Sequence, residues 1–228
     1  MFFCHNGNLY FSGYFMRQPG FLSLKILQSG LFLLLVLSGH AQFYNRGEDP
    51  GNLKWRQIRT GNFRVIYPKD FDQEAQRLTN ILEYYYEPNA GYLDHKPSRI
   101  PVILHTHSVR SNGFVAWAPK RMELVTTPSA HQYPHDYLEQ LALHEFRHVV
   151  QIDKLRQGFT KGLSYITGEM GIGAVAGFMP FWYLEGDAVD AETRLSRAGR
   201  GRMPSFEMEI KAMLSDVPGL YSYEKATM

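Results

Sequence analysis

Residues 134–152 read PHDYLEQLALHEFRHVVQI. Apolar residues and two histidines recur in this segment every three or four positions, which is the spacing of one face of an α-helix. The residues from Pro134 to Asp136 are typical of a helix start. The segment therefore predicts a helix that carries His144-Glu145-Phe146-Arg147-His148 near its middle.

The two histidines of this motif are four residues apart. On a helix they lie about 40° apart around the axis and roughly 6 Å apart along it, so both imidazoles can bind one metal ion. Glu145 projects about 100° away from His144, where it can reach a metal-bound water. We predict that His144 and His148 are metal ligands and that Glu145 is the catalytic general base.

A second motif follows at residues 182–188, which read WYLEGDA. It resembles the Trp-x-x-Glu-Gly-x-Ala stretch of the gluzincin metallopeptidases. In that family two histidines of one helix and a glutamate of another hold zinc and leave one position for water. The resemblance implies Glu185 as the third ligand, one Zn²⁺ per chain, and hydrolysis of peptide bonds.

The chain before the motif helix has the patterns of a sheet and one helix. Alternating β-branched and aromatic residues predict a strand at 62–67, and the run at 100–105 predicts a buried strand. Apolar spacing predicts a helix at 70–92. Residues 113–117 and 122–126 are close enough to form an antiparallel pair. These patterns and the resemblance together predict an α+β, zincin-like fold. It has a small, mostly antiparallel sheet with an edge strand over the motif helix, and a helical part follows.

The resemblance implies that Gly113–Trp117 is the edge strand and that its backbone pairs with a substrate peptide. The substrate-binding residues that this implies are Phe114, Val115, Ala116 and Trp117. A donor for the transition-state oxyanion is also needed. No spacing argument selects among four candidates, which are Tyr221, Tyr223, His131 and His135.

Other residues have structural and functional alternatives. Arg147 is expected to be a structural cation paired with a carboxylate, for which the candidates are Asp187, Asp190 and Glu192. His105 and His107 alternate on a strand, and surface roles compete with a second metal pair. The segment 162–178 is rich in glycine and apolar residues, but Glu169 and Pro180 argue against a membrane helix. Helices are predicted at 182–195 and 205–214.

The first 41 residues have the layout of a secretory signal, with two basic residues, no acidic ones and an apolar block at 31–37. We expect translation to start at Met16 and cleavage to occur before Gln42. The apolar run is shorter than the roughly 18 to 20 residues that span a membrane. Residues 42–228 are then one domain that is exported and is periplasmic, envelope-associated or secreted, and not an integral membrane protein.

The composition of the exported part excludes some functions. The chain has a formal net charge of +2, and loss of Arg17 and Lys25 with the signal leaves none, so nothing indicates nucleic acid as a partner. Cys4 is the only cysteine, so the exported part can form no disulfide. Stability must come from packing, helped by a metal.

The wider pattern around Asn112, Trp117 and the motif helix resembles envelope proteins in which a peptidase-like domain precedes a TolB-like β-propeller. If so, these 228 residues are the amino-terminal part of a longer protein. Three hypotheses follow: a zinc peptidase acting on peptides or proteins, a catalytically inactive zinc-binding domain with a role in envelope assembly, and an integral membrane protein. We rank them in that order. Oligomeric state stays open.

Overall fold

The computed structural model describes residues 49–130 and 135–216, which belong to one compact unit running from Glu48 to Met228. The predicted signal peptide and Met16 lie outside the described residues. Five strands are described: β1 (Trp55–Arg59), β2 (Phe63–Pro68), β3 (Ile100–His105), β4 (Gly113–Trp117) and β5 (Lys120–Val125). The described helices are α1 (Asp72–Tyr92), α2 (Tyr137–Lys154), α3 (Gly158–Thr167), α4 (Glu169–Ala176), α5 (Phe181–Leu195) and α6 (Met208–Asp216).

The strands form one sheet in the order β1-β2-β3-β5-β4. The pairs β1–β2 and β4–β5 are antiparallel, whereas β2–β3 and β3–β5 are parallel. The α+β class and the antiparallel β4–β5 pair are confirmed, and β4 is the edge strand among the described residues. The expectation of a mostly antiparallel sheet was wrong. Helix α1 crosses over between β2 and β3, and such a crossover joins parallel strands.

Strand β1 was missed in the sequence because its side chains are mostly exposed and show no apolar alternation. Strands β2 and β3 do alternate, with buried residues at every second position. Their buried side chains meet those of α1 and α2 in one core. The ring of Phe63 lies edge-on to Tyr86 of α1 and to Phe146 of α2, at centroid distances of 5.9 and 5.2 Å. Phe146, inside the histidine motif, therefore anchors the motif helix to the sheet.

Helix α2 begins as the sequence predicts. The side chain of Asp136 caps it by accepting a hydrogen bond from the backbone N–H of Glu139, at 3.0 Å. The glycine-rich segment after it forms two short helices, α3 and α4, which are separated at Gly168, where φ is +64°. In the part of the chain that the structure describes, no helix combines the length and apolar character needed to cross a membrane.

The rings of His105 and His107 have separate partners. The ring of His105 lies between two carboxylates, with Nδ1 2.5 Å from Asp49 and Nε2 3.0 Å from Glu123. His107 instead contacts the hydroxyl of Thr106 at 2.9 Å. Burial would lower the pKa of His105, but the bonds to Glu123 and Asp49 outweigh burial and raise it. This cluster joins the segment before β1 to the sheet.

Candidate metal centre

Helices α2 and α5 bring three potential ligands together. His144 Nε2 lies 3.2 Å from His148 Nε2 and 3.3 Å from a carboxylate oxygen of Glu185, and His148 Nε2 lies 3.5 Å from the other oxygen. These residues form the single group of this kind found among residues 49–130 and 135–216. The predicted ligands from two separate motifs thus converge on one point.

The donor atoms fit a zinc ion in both chemistry and spacing. Two ligands about 2.05 Å from zinc at a tetrahedral angle lie roughly 3.4 Å apart. The two nitrogens are 3.2 Å apart, and each lies 3.3 or 3.5 Å from one of the two oxygens of Glu185, which is close to that value. Two imidazole nitrogens and one carboxylate oxygen are a donor set that catalytic zinc uses. The histidine side chains are nearly buried, whereas that of Glu185 is 37% exposed, so a water or substrate can approach from the Glu185 side.

Two carboxylates flank His144. Its Nε2 faces Glu185, and its Nδ1 lies 3.2 Å from an oxygen of Glu192 on α5. Burial would lower the pKa of His144, but these hydrogen bonds raise it to about 9. Burial and the nearby charge of His144 lower the pKa of His148, and the bond from His144 lowers that of Glu185. A metal therefore has to displace one proton, carried by His144, at neutral pH.

Gln151 orients His148. Its amide nitrogen donates to the carbonyl of Leu184 at 3.0 Å and to Asp187 at 2.6 Å, which leaves the amide oxygen toward the imidazole. That oxygen lies 2.9 Å from His148 Nδ1, so Nδ1–H donates and Nε2 is free to bind a metal. This role was not predicted from the sequence, although Gln151 lies three residues after His148.

Arg147 is the structural cation that the sequence predicted, and its partner is Asp187. The guanidinium makes a two-point contact with that carboxylate at 2.7 and 2.8 Å, and it also donates to the backbone carbonyl of Asn89 at 2.9 Å. Its face lies 4.8 Å from the ring centroid of Tyr92. The Arg147 side chain has no solvent exposure, so it fastens α1, α2 and α5 together beneath the ligands.

Glu145 is buried beside the start of the edge strand. A Cβ atom added to Gly113 would lie 2.7 Å from Cγ of Glu145 and 3.0 Å from its carboxylate. Glycine therefore lets β4 approach the predicted base this closely. At the other end of β4, an added Cβ at Gly173 of α4 would lie 2.0 Å from Nε1 of Trp117. Because these two glycines have no side chain, β4 can pack closely against α2 and α4.

The register of β4 determines which backbone groups face its outer edge. The N–H of Val125 donates to the carbonyl of Asn112 at 2.9 Å, which makes those two residues a hydrogen-bonded pair. Pairing alternates along an antiparallel ladder, so Phe114 and Ala116 bond to β5. The backbone groups of Gly113 and Val115 then face outward, away from β5. Among the described residues no other strand occupies that edge.

Of the predicted site residues, the structure brings the histidines, Glu185 and Glu145 into one region next to β4. The oxyanion candidates His131, Tyr221 and Tyr223 lie outside the described residues, and His135 lies 3.6 Å from Glu139. The roles of Glu192 and Arg200 were missed because their partner His144 lies on another helix, and that of Gln151 because its orientation depends on bonds to α5. The chain matches no protein-family model, no curated protein and no solved structure.

Proposed function

We propose that this chain is a zinc-dependent peptidase in which His144, His148 and Glu185 bind the metal. The observation that carries the proposal is the convergence of three ligand residues: the two Nε2 atoms are 3.2 Å apart, and each lies 3.3 to 3.5 Å from one of the two Glu185 oxygens. Such a set suits tetrahedral zinc with one position left for water. Glu145 directly follows His144 in the chain and is buried against Gly113 of β4, which supports catalysis in addition to binding. Export, as the sequence of residues 1–41 indicates, is part of the proposal.

A zinc ion held by these ligands would supply Lewis-acid chemistry, polarising a peptide carbonyl and lowering the pKa of water to about 7. In the proposed reaction the carboxylate of Glu145 takes one proton from the attacking water as its oxygen bonds to the carbonyl carbon. Glu145 then returns the proton to the leaving amine as the C–N bond breaks. Burial beside Gly113 holds the carboxylate in place for both transfers.

The substrate in this proposal is a peptide in extended conformation. The outward backbone groups of Gly113 and Val115 can pair with it as an added strand. Such pairing would place the peptide directly over α2, because Gly113 contacts Glu145. Phe114, Val115, Ala116 and Trp117 remain the proposed substrate-binding residues. Backbone pairing of this kind accepts many sequences, so it implies a peptide or protein substrate and no more.

The test combines metal analysis with one substitution. We expect the purified protein to contain about one zinc per chain and to cleave unfolded protein or a mixed peptide library. Glu145→Gln should retain the zinc and lose at least about a hundredfold of the activity, since general acid–base catalysis contributes that much. Glu207→Gln is the matched control because Glu207 is an exposed residue in a surface pair with Lys211.

Three outcomes separate the hypotheses. Zinc together with Glu145-dependent cleavage supports the peptidase. Zinc without cleavage of any tested peptide would favour the alternative of an inactive zinc-binding domain with a structural or assembly role in the envelope. A chain that takes up no zinc, with His144→Ala indistinguishable from wild type in metal content, would refute both.

A further inference from the structure

The Nδ1 side of His144 faces a buried carboxylate–guanidinium pair formed by Glu192 and Arg200. The Glu192 side chain is 1% exposed, and that of Arg200 is 31% exposed. We infer that this pair positions His144 for metal binding, holding its ring so that Nε2 faces the metal. The inference rests on the proposed metal centre and extends it to a loop beyond α5.

The contacts of Glu192 divide between its two oxygens. Oε1 accepts from the backbone N–H of Arg200 at 3.0 Å, from its Nε at 2.8 Å, and from the amide of Gln140 at 3.4 Å. Oε2 accepts from Nη2 of Arg200 at 3.0 Å and lies 3.2 Å from His144 Nδ1. Because Arg200 holds the carboxylate at several points, Glu192 can present Oε2 to His144 in one orientation only.

The loop that carries Arg200 is docked tightly on α5. A Cβ atom added to Gly199 would lie 2.4 Å from Cα of Thr193 and 2.6 Å from the carbonyl oxygen of Glu192. The N–H of Gly201 donates to the hydroxyl of Thr193 at 3.1 Å, and Arg202 donates to its carbonyl at 3.0 Å. None of these contacts involves the Arg200 side chain, so the loop is held near the carboxylate independently of that side chain.

This arrangement has a direct consequence for the imidazole. A neutral imidazole carries one N–H, and the carboxylate at Nδ1 selects the form with the proton there and the lone pair on Nε2. Nη2 of Arg200 lies 2.8 Å from the same Nδ1 and can donate to it only when Nδ1 carries no proton. In the form that binds a metal through Nε2, the proton is on Nδ1, and Arg200 cannot then donate to it. Arg200 therefore acts through Glu192, compensating its buried charge and fixing its position.

The first measurement is zinc affinity, determined on the full chain by competition with a chromogenic chelator. We expect Glu192→Ala and Arg200→Met to weaken zinc binding by about 10 to 100-fold, as loss of such outer contacts does. Gly199→Ala should weaken it as well, because the added methyl displaces the loop without removing any contact side chain. Arg194→Met is the matched control, since Arg194 is an exposed arginine of α5 paired with Asp190.

The second measurement separates positioning from general stability. In the zinc form, ¹⁵N-histidine NMR should show a slowly exchanging Nδ1–H signal for His144 at low field, which Arg200→Met shifts upfield while the signal of His148 stays unchanged. If Glu192→Ala fails to fold, Arg200→Met alone provides the test, because the Arg200 side chain is partly exposed and its replacement is tolerated more easily than that of buried Glu192.

The outcomes distinguish this inference from the metal centre itself. Wild-type protein that takes up zinc, with Arg200→Met and Glu192→Ala within twofold of its affinity and an unchanged His144 signal, would refute the positioning role alone. Wild-type protein that takes up no zinc would refute the metal centre and the positioning role together. Weakened binding with the upfield shift supports the inference.

Discussion

Replacing Arg147 with methionine tests the buried contacts by which this residue joins α1, α2 and α5. The substitution removes the two-point contact with Asp187, the bond to the Asn89 carbonyl and the contact with the ring of Tyr92. Breaking a buried ion pair by removing one partner costs about 3 to 5 kcal/mol. Asp187 is 18% exposed and keeps its bond from Gln151, so we expect the lower end, about 3 kcal/mol.

Urea unfolding of the metal-free protein measures this loss without any contribution from zinc binding. Arg194→Met serves again as the control, because an exposed pair contributes less than about 1 kcal/mol. In a double-mutant cycle, Arg147→Met and Asp187→Leu should show a coupling free energy of about 1 to 3 kcal/mol. A loss for Arg147→Met no larger than that of the control would refute the role assigned to this residue.

Three further predictions concern the base, the sheet and the metal. Gly113→Ala should lower peptide cleavage by roughly a hundredfold with zinc affinity retained, because the added methyl displaces Glu145. Gly91→Ala is the control, since an added methyl there meets open space and should leave cleavage unchanged. Equal activities of the two variants would contradict the role of Gly113. The pKa of His105 is raised in the folded protein, so its contribution to stability is complete below the pKa of 6.5 in the unfolded chain and is lost as pH rises through the folded-state pKa. The unfolding free energy, measured from pH 5.5 to 9, should therefore decline less in His105→Gln than in wild type. Zinc at a hundred times its Kd should raise the unfolding free energy by about 2.7 kcal/mol, and EDTA should reverse the rise in a thermal scan.

The sequence predicted the elements of this fold better than their arrangement. Helix α2, its start after the signals at Pro134 to Asp136, and the β4–β5 pair are all found where local patterns predicted them. Strand β1 was not predicted, because an exposed strand has no apolar alternation to detect. The parallel pairing of β3 with β2 and β5 was also not predicted, because strand order depends on long-range packing and cannot be inferred from the sequence of any single segment.

The candidate site divides in the same way. By itself the sequence determined that His144 and His148 share one helix face with Glu145 beside them, because a helical repeat of 3.6 residues dictates those directions locally. Only the tertiary structure decided that Glu185 meets the histidines, that Gln151 bonds to Leu184 and Asp187, and that Glu192 and Arg200 reach Nδ1 of His144. These contacts join α2 to α5 and to the loop after it, and the packing of separate elements sets their distances, which no local periodicity encodes.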